Sequence, residues 1–267
     1  MTRKIIIMIG LVSLFFSCAS SEKINVDEEY FNNKSMEEMA KSGHFYSRPG
    51  EGTITIIGVS NGMIKRESEI ESAQKDAARK IALFYGANGS IESFLTSGSR
   101  GFFDYDNQTN IRLEYDTDYE KYISKLDFDP ETDVYKTQRG VFVRFTYNTP
   151  LGYIHYVPVV DSSGRPSWTN SSNLPRIDGY ITAVGLSRNQ SYLRDTIIKS
   201  TDAAVFGLFD QISSNVAVST RIDPSGRTID TTHSISEGKI SGFYILEFWI
   251  EPKTENVYTL AIAREVK

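Results

Sequence analysis

Gly52-Thr-Ile-Thr-Ile-Ile-Gly-Val-Ser60 returns 127 residues later as Gly179-Tyr-Ile-Thr-Ala-Val-Gly-Leu-Ser187, identical at five of nine positions. Each copy is rich in β-branched residues and bounded by glycine, the signature of a strand. Gly58 and Gly185, near the ends of these stretches, would permit a bulge or a close helix crossing. Asp76-Ala77-Ala78 follows the first copy and Asp202-Ala203-Ala204 the second at nearly the same distance. Further on, Leu126-Asp127-Phe128 and Val134-Tyr135 answer to Leu246-Glu247-Phe248 and Val257-Tyr258. Four anchors in one order indicate a duplicated unit, and the period is too long for a solenoid, whose repeats run ~20 to 50 residues.

The segment after each nonapeptide reads as an amphipathic helix. Ile70, Ala73, Ala77, Ile81 and Phe84 fall at steps of three and four, as do Leu193, Ile197, Ala204, Leu208 and Ile212. Ser68 with Glu71 has the form of a capping box. Alternation then takes over at Ile111, Leu113 and Tyr115 and at Val141, Val143, Phe145 and Tyr147, the pattern of half-buried strands. Phe243 to Ile250 is apolar almost throughout, which fits a strand covered on both faces, and Tyr258 to Ala263 reads as a last strand. The expected fold is α+β: two tandem units, residues 51–148 and 179–267, each a strand, an amphipathic helix and a small antiparallel sheet. Residues 149–178 read as a linker, with an added edge strand possible over Leu151 to Val160 and a loop rich in Ser, Gly, Pro and Asn from Asp161 to Asp178, and residues 18–50 as a polar tether with a helical turn or two around Met36 to Met39.

The amino terminus points to export. Arg3 and Lys4 precede a largely apolar segment of twelve residues, Ile5 to Phe16, then Ser17 and Cys18, the only cysteine. Twelve residues are too few to span a bilayer, which takes about 20. Residues 1–17 therefore read as a cleaved signal peptide. The stretch resembles a relaxed lipobox of bacterial lipoproteins, with Leu14 one position early and Phe15 and Phe16 bulkier than the strict pattern. On that resemblance Cys18 is the lipidation site, carrying diacylglycerol and a further acyl chain such as palmitate; two or more chains anchor stably where one does not. An ordinary secretory signal with an incidental cysteine is the alternative. A single cysteine rules out an internal disulfide.

Apolar residues make up 40% of the chain and charged residues 24%, the balance of a folded globular protein. The net charge is −5, and becomes −7 once Arg3 and Lys4 leave with the signal, which argues against nucleic acid as a partner. Three histidines, His44, His155 and His233, stand far apart with no second cysteine to complete a metal site, so each reads as a surface or strand residue and no cofactor is expected. Thr96-Ser-Gly-Ser-Arg-Gly101 lacks the spacing of a nucleophile elbow. With no base and nucleophile to pair, the expectation is a non-enzymatic protein.

The stretch from Asp104 to Asp133 holds ten carboxylates against Arg112, Lys121 and Lys125. Asp127-Phe-Asp-Pro-Glu-Thr-Asp133 spaces oxygens as a calcium loop does, but the sixth position is Thr132 and the twelfth Gln138, where such a loop has Gly and Glu. Solvated strand edges fit better. Core packing is the default reading of the interleaved tyrosines, and Tyr105, Tyr115, Asp116, Asp118, Tyr119 and Tyr122 form a candidate interaction face for a protein or a glycan.

The lipobox, the Gly-x-Ile-Thr-x-x-Gly-x-Ser strand with its Asp-Ala-Ala helix, and the closing Val257-Tyr-Thr-Leu-Ala-Ile-Ala263 resemble the LPP-twenty family of bacterial, Helicobacter-type outer-membrane lipoproteins. The likeness covers Gly179 to Lys267 best and Gly52 to Tyr147 more loosely. It implies a helix on a small sheet, an envelope location and no catalytic residues. The function expected is a membrane-anchored scaffold or surface interaction protein with a protein partner in the envelope or on a host. A glycan- or peptidoglycan-binding module is the first alternative. A flagellar or envelope assembly accessory is the second, because similar strand-helix units occur in a flagellar T-ring component.

Overall fold

The computed structural model describes residues 24–25, 34–47, 52–98, 108–149, 154–212, 214–222 and 228–266. The signal, Cys18 and Tyr105 lie outside them. The architecture is α+β with antiparallel sheets throughout. In chain order the elements are β1 (Ile24–Asn25), α1 (Met36–Ser42), β2 (His44–Tyr46), β3 (Thr53–Asn61), α2 (Arg66–Tyr85), β4 (Ala87–Gly98), β5 (Gln108–Tyr115), α3 (Glu120–Ile123), β6 (Val134–Lys136) and β7 (Gly140–Asn148). The second half adds β8 (Val159–Val160), two 3-10 turns (Ser167–Thr169 and Ser171–Asn173), β9 (Ile181–Ser187), α4 (Leu193–Ile212), β10 (Ser214–Ile222), β11 (Thr228–Ile250) and β12 (Val257–Glu265).

Both nonapeptides form strands, β3 and β9, and each is followed by a 20-residue helix. The glycines explain how strand and helix meet. A Cβ on Gly58 would collide with the Ala73 carbonyl of α2, and one on Gly185 with the Ser200 carbonyl of α4. Only glycine lets the backbones come so close, and Ala73, Ala77, Ala78 and Ala204 keep the facing helix surfaces low and fully buried. The helix α2 begins two residues before Ser68, so the expected capping box does not form. Glu69 instead turns back and accepts from the Met63 amide at 2.8 Å and from Lys136 at 2.8 Å. A complete capping box does exist one helix earlier, between Ser35 and Glu38 at the start of α1.

The longest strand, β11, is the spine. Its first half pairs with β10 on one side and with all twelve residues of β4 on the other; its second half pairs with β12 and β2. The small sheet runs β3-β7-β6, and the large one runs β5-β4-β11-β12-β9. Because β4 is hydrogen-bonded to β11, the two stretches read as units share one sheet. They also share both cores. Ile57, Val59 and Phe142 of the small sheet pack with Ile197, Val205, Leu208 and Phe209 of α4. Ala77, Ile81 and Phe84 of α2 pack with Tyr244, Leu246, Leu260 and Ile262 of the large sheet.

Two boundaries need correction. Residues 34–47 are not tether: Met36, Met39, Phe45 and Tyr46 are buried, and β2 extends the large sheet along β11. The polar run on either side hides this short apolar segment in the composition. Residues 154–178 are more than a linker, since Ile154 and Trp168 are buried in the second core cluster. The edge strand expected there is β8, two residues long and paired with β1.

Candidate functional site

Of the residues expected on a tyrosine face, Tyr115, Asp116, Tyr119 and Tyr122 lie together, though not as a free surface. Asp116, just past β5, folds its chain into a tight turn: its carboxylate accepts from the Asp118 amide at 2.9 Å and the Tyr122 hydroxyl at 3.0 Å, and pairs with Lys121. Lys121 and the Asp118 amide hold this carboxyl below its usual value. The Tyr115 hydroxyl receives Arg79 Nε at 3.0 Å and the Tyr119 hydroxyl at 3.4 Å. Burial, then Tyr115, pushes Tyr119 upward. Tyr122 is buried and belongs to the core, correcting its place on the exposed face; Asp118 is exposed, while Tyr115, Asp116 and Tyr119 are half-buried.

Three residues of this region were not anticipated. Tyr85, 51% exposed, stacks on Tyr122 with ring centroids 5.7 Å apart, and its hydroxyl shares a 3.0 Å hydrogen bond with Tyr147. Arg79 joins Tyr115 to Asp202 and so ties α2 to α4. Burial opposes its charge, but Asp202 and Tyr115 outweigh burial and raise the guanidinium further. Tyr85 sits one residue off the apolar stripe at the end of α2, the only sequence sign that it faces outward.

The most elaborate polar cluster lies elsewhere, around residues that no local sequence pattern groups together. Glu247, in the middle of β11, has a side chain with no solvent exposure. Its Oε1 lies 3.0 Å from His44 Nδ1, and its Oε2 accepts from the Trp168 indole at 2.7 Å and the Tyr156 hydroxyl at 2.9 Å. His44 Nε2 lies 2.8 Å from the Gly164 carbonyl. A carbonyl only accepts, so Nε2 carries a hydrogen, and one proton lies between Nδ1 and Oε1. Burial, then Glu247, pushes the Tyr156 hydroxyl well up. Lys34, whose ammonium is lowered by burial against the pull of Glu38 and Glu247, stands 5.6 Å from the Tyr46 ring centroid beside this group. The cluster joins β2, the 154–168 segment and β11 across more than 200 residues of sequence, and only the Leu-Glu-Phe anchor around Glu247 hinted at a special position.

A second buried pair comes from the Asp-Ala-Ala motif. Asp76 accepts from the Val59 amide at 3.0 Å and from Lys80 at 2.7 Å, and Lys80 also donates to the Ile57 carbonyl at 2.6 Å. Burial lowers the Lys80 ammonium while Asp76 opposes the change. The pair stitches α2 to β3. Beside it Ile54, Ile56, Phe84, Tyr244 and Phe248 leave a void of about 10 Å³, room for a single water.

Chemically, these clusters hold the chain together. The His44 nitrogen that a nucleophile would need is engaged by Gly164, and the remaining donors converge on one carboxylate. In the acidic stretch, Asp129 accepts from the Glu131 amide and the Thr132 hydroxyl, while Asp133 pairs with Arg144. Those oxygens close a turn on β7. Among the described residues no group of three or more His, Cys, Asp or Glu converges as metal ligands would, and no helix is long and apolar enough to cross a membrane. No protein-family model, no characterised protein and no solved structure matches the chain.

Proposed function

We propose that the protein is an exported lipoprotein held to a bacterial envelope membrane through Cys18, with a body that works by binding rather than by catalysis. The leader Arg3 to Ser17 and the relaxed lipobox before Cys18 support the anchor. The body is proposed to be two tandem LPP-twenty-like units: the matched strand-helix crossings at Gly58 and Gly185 support the duplication. The observation that carries the binding reading is the saturation of the buried polar groups around Glu247, where each histidine nitrogen and each carboxylate oxygen already has a protein partner. Such a network rigidifies a body and leaves its surface to do the work.

Replacing Cys18 with alanine tests the anchor. The variant is expected to leave the detergent phase and the membrane fraction while keeping its far-ultraviolet circular dichroism. Unchanged partitioning of a folded variant refutes the anchor.

A glycan-binding reading draws support from Tyr85, an exposed ring stacked on Tyr122 next to Tyr119, because flat aromatic faces suit sugar rings. Retention of the protein on sacculi, lost in Tyr85→Ala, would favour it. Capture of one defined protein after crosslinking would favour the scaffold.

A further inference from the structure

We infer that the end of the molecule bearing Met63, Ile64 and Tyr192 rests on the membrane that holds Cys18, with Lys65, Arg66 and Arg188 against anionic lipid headgroups. The inference rests on the lipoprotein reading and adds an orientation to it.

Several contacts bring these residues to one end. The three apolar residues lie in the loops that follow β3 and β9, and the Arg194 amide at the start of α4 donates to Asn61 Oδ1 at the end of β3 at 3.3 Å. The Arg139 guanidinium, at the β6–β7 turn, donates to Asn189 at 2.8 Å, which brings a third loop to the same place. Ile64 is fully exposed, Tyr192 is 59% exposed and Met63 41%. Large apolar side chains on loop tips gain nothing in water, whereas a membrane interface takes in aliphatic groups and places tyrosine at headgroup level.

The exposed cations at this end that have no ion-pair partner among the described residues contrast with the acidic chain as a whole. The whole sequence carries −5, yet Lys65, Arg66 and Arg188 are exposed and none of them is in an ion pair among the described residues. Glu67 and Asp195, in the first turns of α2 and α4, are the neighbouring acids in sequence, and Glu255, bonded to Asn189 at 2.8 Å, is paired with Arg139. An apolar tip with flanking cations is the arrangement that binds an anionic bilayer, because headgroup attraction adds to apolar insertion.

The start of the chain supplies the reason to choose a membrane over another partner. The strand β1 is antiparallel to β8, and Val160 of β8 bridges to Pro166. The adjoining Arg165 guanidinium stands 5.6 Å from the Tyr258 ring centroid. Tyr258 is in register with Leu186, two residues before Arg188. Cys18 is six residues before Ile24, a reach of about 20 Å even when fully extended. A lipid on Cys18 would therefore tether the bilayer on the side of the body where β1, β8 and Arg165 lie, the side that Tyr258 and Leu186 connect to the loop after β9.

The test uses the full chain with Ile64→Cys labelled by an environment-sensitive maleimide dye, and Lys125→Cys as a label in the distant turn after α3. Each is mixed with vesicles of phosphatidylcholine alone or of phosphatidylcholine with phosphatidylglycerol. On the anionic vesicles the dye at position 64 is expected to shift to the blue and to be quenched by lipid-borne quenchers, while the dye at 125 is unaffected. Adding Lys65→Glu and Arg66→Glu should remove the shift without releasing the protein from vesicles. An unshifted dye at 64 on floating anionic vesicles overturns the inference and leaves the anchor standing. If the unsubstituted chain takes up dye at Cys18 and fails to float, the lipoprotein reading falls, and this inference falls with it.

Discussion

Glu247 shows at the residue scale what a buried carboxylate needs. With no solvent to turn to, it is surrounded by an imidazole, an indole and a phenol, which fill both oxygens. Removing one partner of such a pair strands the other, at a cost of about 3–5 kcal/mol, far above that of a surface ion pair. Glu247→Gln is expected to lower stability in urea by about that amount. His44→Gln should do the same, and the double variant should lose less than the sum of the two. Simple additivity across the cycle would show that His44 and Glu247 are not coupled. The tyrosines make a contrasting point. Tyr122 and Tyr115 were legible as aromatic residues in an acidic run, but whether each faces inward depends on Tyr85, Tyr147 and Arg79, which come from other elements.

At the scale of elements, the strand-helix crossing is the most constrained feature. Gly58 and Gly185 occupy equivalent places, and each touches the backbone of its own helix. Adding one methyl group forces helix and strand apart in a packed interior, where overpacking costs about 1–3 kcal/mol. Gly58→Ala and Gly185→Ala should each destabilise the fold by at least that much, read as a lowered urea midpoint with an unchanged slope. A tolerated alanine at either site would mean that the two crossings are not alike. Both helices were readable from the apolar stripe, because a 3.6-residue period survives without tertiary context. The start of α2 was not, because Glu69 reaches outside the helix to Met63 and Lys136 rather than forming a local box.

The whole molecule is held by elements that cross between the two halves. The strand β4 pairs with β11, the two long helices α2 and α4 each touch both sheets, and α1 with β2 closes the first core. Met36, Met39, Phe45 and Tyr46 are each buried, worth about 1.5–3 kcal/mol apiece. Together that is on the order of the entire stability of a typical domain. A chain lacking residues 34–47 is therefore expected to lose its cooperative thermal transition. Retention of that transition would show that this segment is a tether after all. Local pattern could not reveal this, since fourteen residues inside a polar stretch show no period long enough to read.

What the sequence determined by itself is whatever depends on neighbours along the chain: the two strand-helix pairs, the alternating strands and the apolar run of β11. Periodicity, glycine and β-branching act over a few residues, so they can be read without coordinates. Only the tertiary structure decided that residues 34–47 belong to the body, that the supposed linker delivers Trp168 to Glu247, and that the ends of β3 and α4 are joined through Asn61 and Arg194. Each of these depends on groups far apart in sequence finding the same buried carboxylate, core or surface, and no local pattern encodes such a meeting.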